Sequence, residues 1–152
     1  MSIPPLPRGL PADDDRVVVA NRLNSVAIHL LRRIARTDEQ SGLTAERMSL
    51  LSVLVYGGDR TIGQLASAER LTAPAITRTV SLLEEQGLVK RLRSATDRRV
   101  VTVTATASGR RLMEAARARR IATLAEDLRP LSRTDLATLN RAAAILDKLA
   151  GS

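Results

Sequence analysis

Two apolar helical patterns, one through Ile62, Leu65 and Ala66 and the next through Ile76, Val80 and Leu83, are separated by a very short connection at Leu71 and Thr72. Helices joined that tightly must cross at a large angle, as in a helix-turn-helix. Thr61 can cap the first helix and Thr72 the second, each by accepting from an orphan amide of the first turn. Gly87 suits the left-handed residue that closes a helix. Ile76, Val80 and Leu83 recur at helical spacing and form one inward stripe. The opposite side, near the helix start, carries Ala73, Ala75, Thr77, Arg78 and Ser81. Small residues there permit close approach, hydroxyls can bond phosphates or base edges, and an arginine can bind guanine or clamp a phosphate. This is the composition of a recognition helix, although the corner of a helical bundle has the same local pattern.

The segment that follows narrows the choice. LVKRLR from 88 and RVVTVTAT from 99 are rich in β-branched residues and nearly alternate, with SATDR between them. That is the pattern of a hairpin with a polar tip. Its arms carry Lys90, Arg91 and Arg93, and its tip Asp97, Arg98 and Arg99. A hairpin projecting arginines beside a recognition helix is a wing: the helix enters the major groove while a guanidinium at the tip reaches the adjacent minor groove. Asp97 either fixes the direction of a neighbouring guanidinium in a bidentate pair or serves only as a turn residue.

Charge points to the same segment. The formal net charge is +8, and from Leu88 to Ile121 ten basic residues face two acidic ones, so this stretch accounts for the whole excess. The preference for arginine over lysine can reflect codon bias, but its position favours a polyanionic partner. Nucleic acid comes ahead of membrane, because no sustained apolar face accompanies the arginines of the ribbon. With no Phe, no Trp and Tyr56 alone, the core must be aliphatic, and stacking on single strands is nearly excluded. Absence of cysteine removes disulfides, thiolate catalysis and thiol sensing. His29 has no partners for a metal site, and there is no glycine-rich phosphate loop, so neither an enzyme nor a cofactor is expected. No stretch approaches the roughly 20 apolar residues that cross a bilayer. The start of the chain lacks the pattern of a signal peptide, so a cytoplasmic location is expected.

The two ends read differently from the middle. Residues 1–12, rich in proline, read as a flexible arm. A long amphipathic helix follows within 13–40, with Val19, Leu23, Val26, Leu30 and Ile34 as its stripe; extra apolar residues at Val18, Ala27, Ile28 and Leu31 widen it. Such a stripe is covered either by the same chain or by a second one. A helix capped by Thr44 opens a domain spanning 44–106. Thr106 caps a fifth helix from about Ala107 to Leu128, and Ser132 with Asp135 resembles a capping box before the last helix, where Leu136, Leu139, Ala143, Leu146 and Ala150 repeat at three and four. The fold expected is mainly α with a small β-hairpin wing: a winged helix-turn-helix domain flanked by dimerisation helices at 13–40 and 107–150. A two-fold homodimer presents two recognition helices, so its duplex site should be a pseudo-palindrome with half-sites about one helical turn apart.

The run TAPAITRTVSLLEEQGLVKR from Thr72, then DRR at 97–99 and TASG at 106–109, resembles the MarR family of bacterial winged-helix transcriptional regulators. The resemblance extends over nearly the whole chain from about residue 14. It implies a homodimer on palindromic double-stranded DNA operators, usually a repressor, often released by a small aromatic or anionic effector bound where the dimer and DNA domains join. By matching positions, Ala73, Pro74, Ala75, Thr77 and Arg78 enter the major groove. Arg99, paired with Asp97, serves the minor groove, and Arg98 a phosphate. With Thr72, Ser81 and Arg93 these residues make up the expected DNA-binding set. Ala105 departs from the larger aliphatic residue usual before the threonine. An architectural protein contacting mainly phosphates is the alternative. Tyr56 is expected to be packed with its hydroxyl satisfied rather than to line an effector pocket, and His29 to be an ordinary polar or interface residue.

Overall fold

The computed structural model describes residues 3–38, 41–93 and 101–151. Helix α1 (Asp15–Asp38) is followed by α2 (Ala45–Gly57), strand β1 (Arg60–Thr61), α3 (Ile62–Glu69), α4 (Ala73–Glu85), β2 (Val89–Arg93), β3 (Val101–Ala105), α5 (Ala107–Leu128) and α6 (Arg133–Ala150). The fold is mainly helical with a small antiparallel sheet in the order β1-β3-β2. Its two main strands pair as the alternation predicts, Val89 opposite Ala105 and Arg93 opposite Val101. The expected two-stranded ribbon gains a third member, because Arg60 pairs with Val103. A strand of two residues has no periodicity to read.

Threonine caps set the helix starts. Thr44, Thr61, Thr72 and Thr106 each accept from the backbone amide three residues on. Thr61 and Gln64 complete a reciprocal capping box, which relieves two orphan donors at once. Ser132 likewise accepts from the Asp135 amide, but its hydroxyl, rather than its backbone, donates to the Asp135 carboxylate at 2.7 Å. Only half of the expected box is therefore of the usual kind.

The core lies in the middle of the chain. Leu50, Leu51 and Leu54 of α2, Leu65 of α3, Ile76, Val80 and Leu83 of α4, Val103 of β3, and Met113 and Ala116 of α5 are all buried. Each large aliphatic side chain withdrawn in this way contributes about 1.5–3 kcal/mol. Ala105 is buried too, beside a close junction. There the Thr106 hydroxyl donates to the Gly87 carbonyl at 2.7 Å, and a Cβ on Gly109 would stand 2.2 Å from the Leu88 carbonyl oxygen. Glycine at 109 is thus a steric requirement of seating α5 on the turn that leaves α4. Gly87, at φ 69°, makes that turn left-handed.

The ends lie outside this core. Among the described residues of α1 only Ser25 is buried, while Val19, Leu23, Val26 and Leu30 are exposed. Apart from the half-buried Ile34, the expected stripe is therefore left exposed by the described residues; the side that turns inward holds Val17, Asn21, Ser25 and His29. Two ion pairs tie α1 to α5: Arg33 with Asp127, and Arg120 with Asp38 at 2.7 Å. The arm lies along α1, the Asn21 amide donating to the Pro4 carbonyl at 2.9 Å. Helix α6 is exposed throughout its described side chains, and its Leu149 returns beside Val19 and Leu23 of α1.

Candidate nucleic-acid interface

The first turns of α4 present one continuous exposed edge. Pro74 stands in the first turn, where its missing amide costs no helical hydrogen bond. Thr72, Ala73, Pro74, Thr77 and Arg78 are exposed, and Ala75 and Ser81 half-buried. Ile76, Val80 and Leu83 hold the opposite side in the core, as the spacing predicts. Thr79 is buried with them, which the apolar pattern does not reveal. Its hydroxyl is shared between the Glu46 carboxylate and the Ala75 carbonyl, each at 3.2 Å, so α4 is tethered to the first turn of α2.

Two hydroxyls of the edge are turned back along the helix. Thr77 donates to the Ala73 carbonyl at 2.8 Å and Ser81 to the Thr77 carbonyl at 3.0 Å. The Thr77 oxygen remains able to accept, whereas that of Ser81 accepts from Arg91. Arg78 makes no ion pair with another described residue. The same holds for Lys90 and Arg93, both exposed on β2. The result is a small-residue surface flanked by cations without an ion-pair partner among the described residues, complementary to a polyanion.

Arg91 behaves differently from its neighbours. Instead of projecting with Lys90 and Arg93, its guanidinium pairs with Glu84, and its Nη2 donates to Ser81 Oγ at 2.9 Å. Asp97, Arg98 and Arg99, the expected wing tip, lie outside the described residues. Tyr56 is 62% exposed at the end of α2, contrary to the expectation that it is packed. The end of a helix beside Gly57 and Gly58 offers its ring too few neighbours.

A cleft of about 670 Å³ opens between α1, the start of α2 and α5, lined by Leu31, Ile34, Leu43, Met48 and the Asp38–Arg120 pair, among others. No group of acidic, histidine or cysteine side chains suited to a metal occurs among the described residues, and no described helix is long and apolar enough to cross a membrane.

This architecture has known counterparts. An HTH-type transcriptional regulator of Mycobacterium bovis is 32% identical over 133 residues, covering 88% of this chain and 93% of its own. The MarR family profile matches residues 41–100. The chain belongs to the MarR family. A MarR family protein of Bacillus stearothermophilus superposes with a TM-score of 0.76 at 26% identity, over 93% of this chain and all of its own. An S. aureus MepR mutant bound to an oligodeoxyribonucleotide has the same fold, with a TM-score of 0.68 at 21% identity, over 86% of this chain and 97% of its own. The curated relatives are named as transcriptional regulators, and α3 and α4 with the sheet beside them have the winged helix-turn-helix fold of the family.

Proposed function

We propose that the chain acts as a homodimeric, sequence-specific repressor that binds a pseudo-palindromic duplex operator and is released by a small-molecule effector. The observation that carries this reading is the exposed α4 edge of Ala73, Pro74, Thr77 and Arg78, whose cation has no ion-pair partner among the described residues, backed by a fully buried stripe. Methyl groups on such an edge suit the thymine methyl, and Arg78 suits guanine. Thr72 and Ser81 border the groove-facing surface. Arg93 is exposed on β2, and Asp97, Arg98 and Arg99 are assigned to the minor groove and phosphates by their positions in the sequence. Support for a DNA partner also comes from the MepR mutant that holds an oligodeoxyribonucleotide on this fold.

The homodimer accounts for the exposed apolar side chains of α1 and α6, Val19, Leu23, Leu139 and Leu146 among them. An effector suits the cleft between α1, α2 and α5, since the α2 turn that lines it also bears Glu46, the partner of Thr79 on α4.

Selection of duplexes from a randomised pool, followed by binding across a salt series, tests the reading. A selected duplex held roughly a thousandfold or more tighter than a scrambled one marks base readout, whereas comparable affinities would favour an architectural, phosphate-contacting protein. Arg78→Ala should relax sequence preference by about 1–3 kcal/mol, and Arg98→Ala should weaken all sequences alike. Equal behaviour of the two variants would refute the division between base and backbone contacts.

A further inference from the structure

The basic wing contains one arginine whose surroundings set it apart. Arg91 sits in β2 opposite Val103, two residues before the last described residue of that arm. Its backbone amide donates to Glu84 Oε1 at 2.9 Å, and its guanidinium pairs with the other oxygen of the same carboxylate. The remaining amino group donates to Ser81 Oγ at 2.9 Å and to the Thr77 carbonyl at 3.4 Å. One side chain therefore spans two turns of α4, and Glu84 receives both the backbone and the side chain of the strand. About a third of each partner is exposed, which leaves the guanidinium held along the helix rather than projecting from the strand.

We infer that Arg91 and Glu84 form a brace that fixes the wing against the recognition helix, so that Arg91 is a positioning residue for DNA recognition and not itself a phosphate contact. The inference rests on the duplex-binding function proposed above. A planar guanidinium whose two amino groups engage Glu84 and Ser81 separately suits such a task, because its rigid fork fixes direction as well as distance. Residues 77 and 81, which the brace engages, belong to the groove-facing edge. The same bonds that orient the wing therefore also hold that edge's backbone and hydroxyl in place.

Charge provides a test in which the two roles predict opposite signs. Glu84→Gln adds one positive charge next to a basic wing, so a free Arg91 that touched phosphate would bind the selected duplex as tightly as before or more tightly. A brace predicts the reverse: affinity falls about fivefold, equivalent to about 1 kcal/mol. Arg91→Lys keeps the charge but loses the planar fork, and should weaken binding similarly. Hydroxyl-radical cleavage of the selected duplex provides the local readout. Protection in the minor groove flanking the α4 contact should fade in both variants, while protection at the α4 contact persists. Unchanged or tighter binding by Glu84→Gln, or protection lost evenly across the whole site, would overturn the brace. If the wild-type chain selects no duplex at all, it is the DNA-binding function itself that fails, a result separable from either of these.

Discussion

Leu51 and Leu54 of α2 are 0% exposed, whereas Leu139 and Leu146 of α6 are 46% and 42% exposed, although all four lie on helices with similar apolar spacing. The winged unit closes its own core with residues from α2, α3, α4, the sheet and the first half of α5. The end helices leave theirs open. Helix α5 belongs to both regions, since Met113 and Ala116 are buried while Ile121 and Leu128 beyond them are exposed. An apolar stripe thus says that a helix will bury one side, but not which surface will cover it. In the middle the cover is the next element of the chain; at the ends the proposed cover is a second copy.

The largest effect should come from the closed region. Leu54→Ala removes a fully buried side chain from the core, and should cost about 3 kcal/mol. Urea unfolding would show this as a lower midpoint by the same amount at every protein concentration. A loss below about 1 kcal/mol would mean that this core is less tightly packed than its burial implies.

An intermediate effect, of a different kind, is expected from the open region. Leu146→Glu places a charge on an exposed side chain outside the winged core, so the winged unit should keep its fold and its circular dichroism. The proposed dimer contains the change twice, and its dissociation constant should rise roughly a hundredfold, equivalent to about 2.7 kcal/mol. Sedimentation equilibrium would detect this as loss of the two-copy mass at micromolar concentration. A variant that kept the wild-type mass would place the partner surface elsewhere than α6.

Much of this contrast is written locally in the chain. A capping threonine acts on the amide three residues away, so Thr44, Thr61, Thr72 and Thr106 mark helix starts without knowledge of the fold. Ile76, Val80 and Leu83 likewise declare the inner side of α4, and by subtraction its outer edge. What stayed hidden depends on residues far apart in sequence. Thr79 is polar and gives no sign of burial until α2 brings Glu46 to it. Arg91 looks like one more wing cation until Glu84 approaches from the preceding helix. Strand β1 exists only because β3, some 40 residues later, offers it an edge. In α1 the broad apolar surface hid the inward side, which is the more polar one through Asn21, Ser25 and His29.

The smallest expected effect tests how much strain the closed region absorbs. Arg70 ends α3 at φ 55° and ψ 39°, a left-handed conformation, and is the one described non-glycine residue with positive φ. That conformation costs a residue with a Cβ about 1–2 kcal/mol, whereas glycine adopts it freely. Glycine in turn loses more backbone freedom on folding, about 0.5–1 kcal/mol, so Arg70→Gly should raise stability by only about 0.5 kcal/mol. Arg70 is exposed, and its backbone amide, which glycine keeps, donates to the Ala66 and Ser67 carbonyls. A small rise in the urea midpoint is therefore expected, with oligomeric mass unchanged. A fall instead would show that the arginine side chain stabilises the tight corner between α3 and α4, and that the closed region owes part of its rigidity to a surface residue.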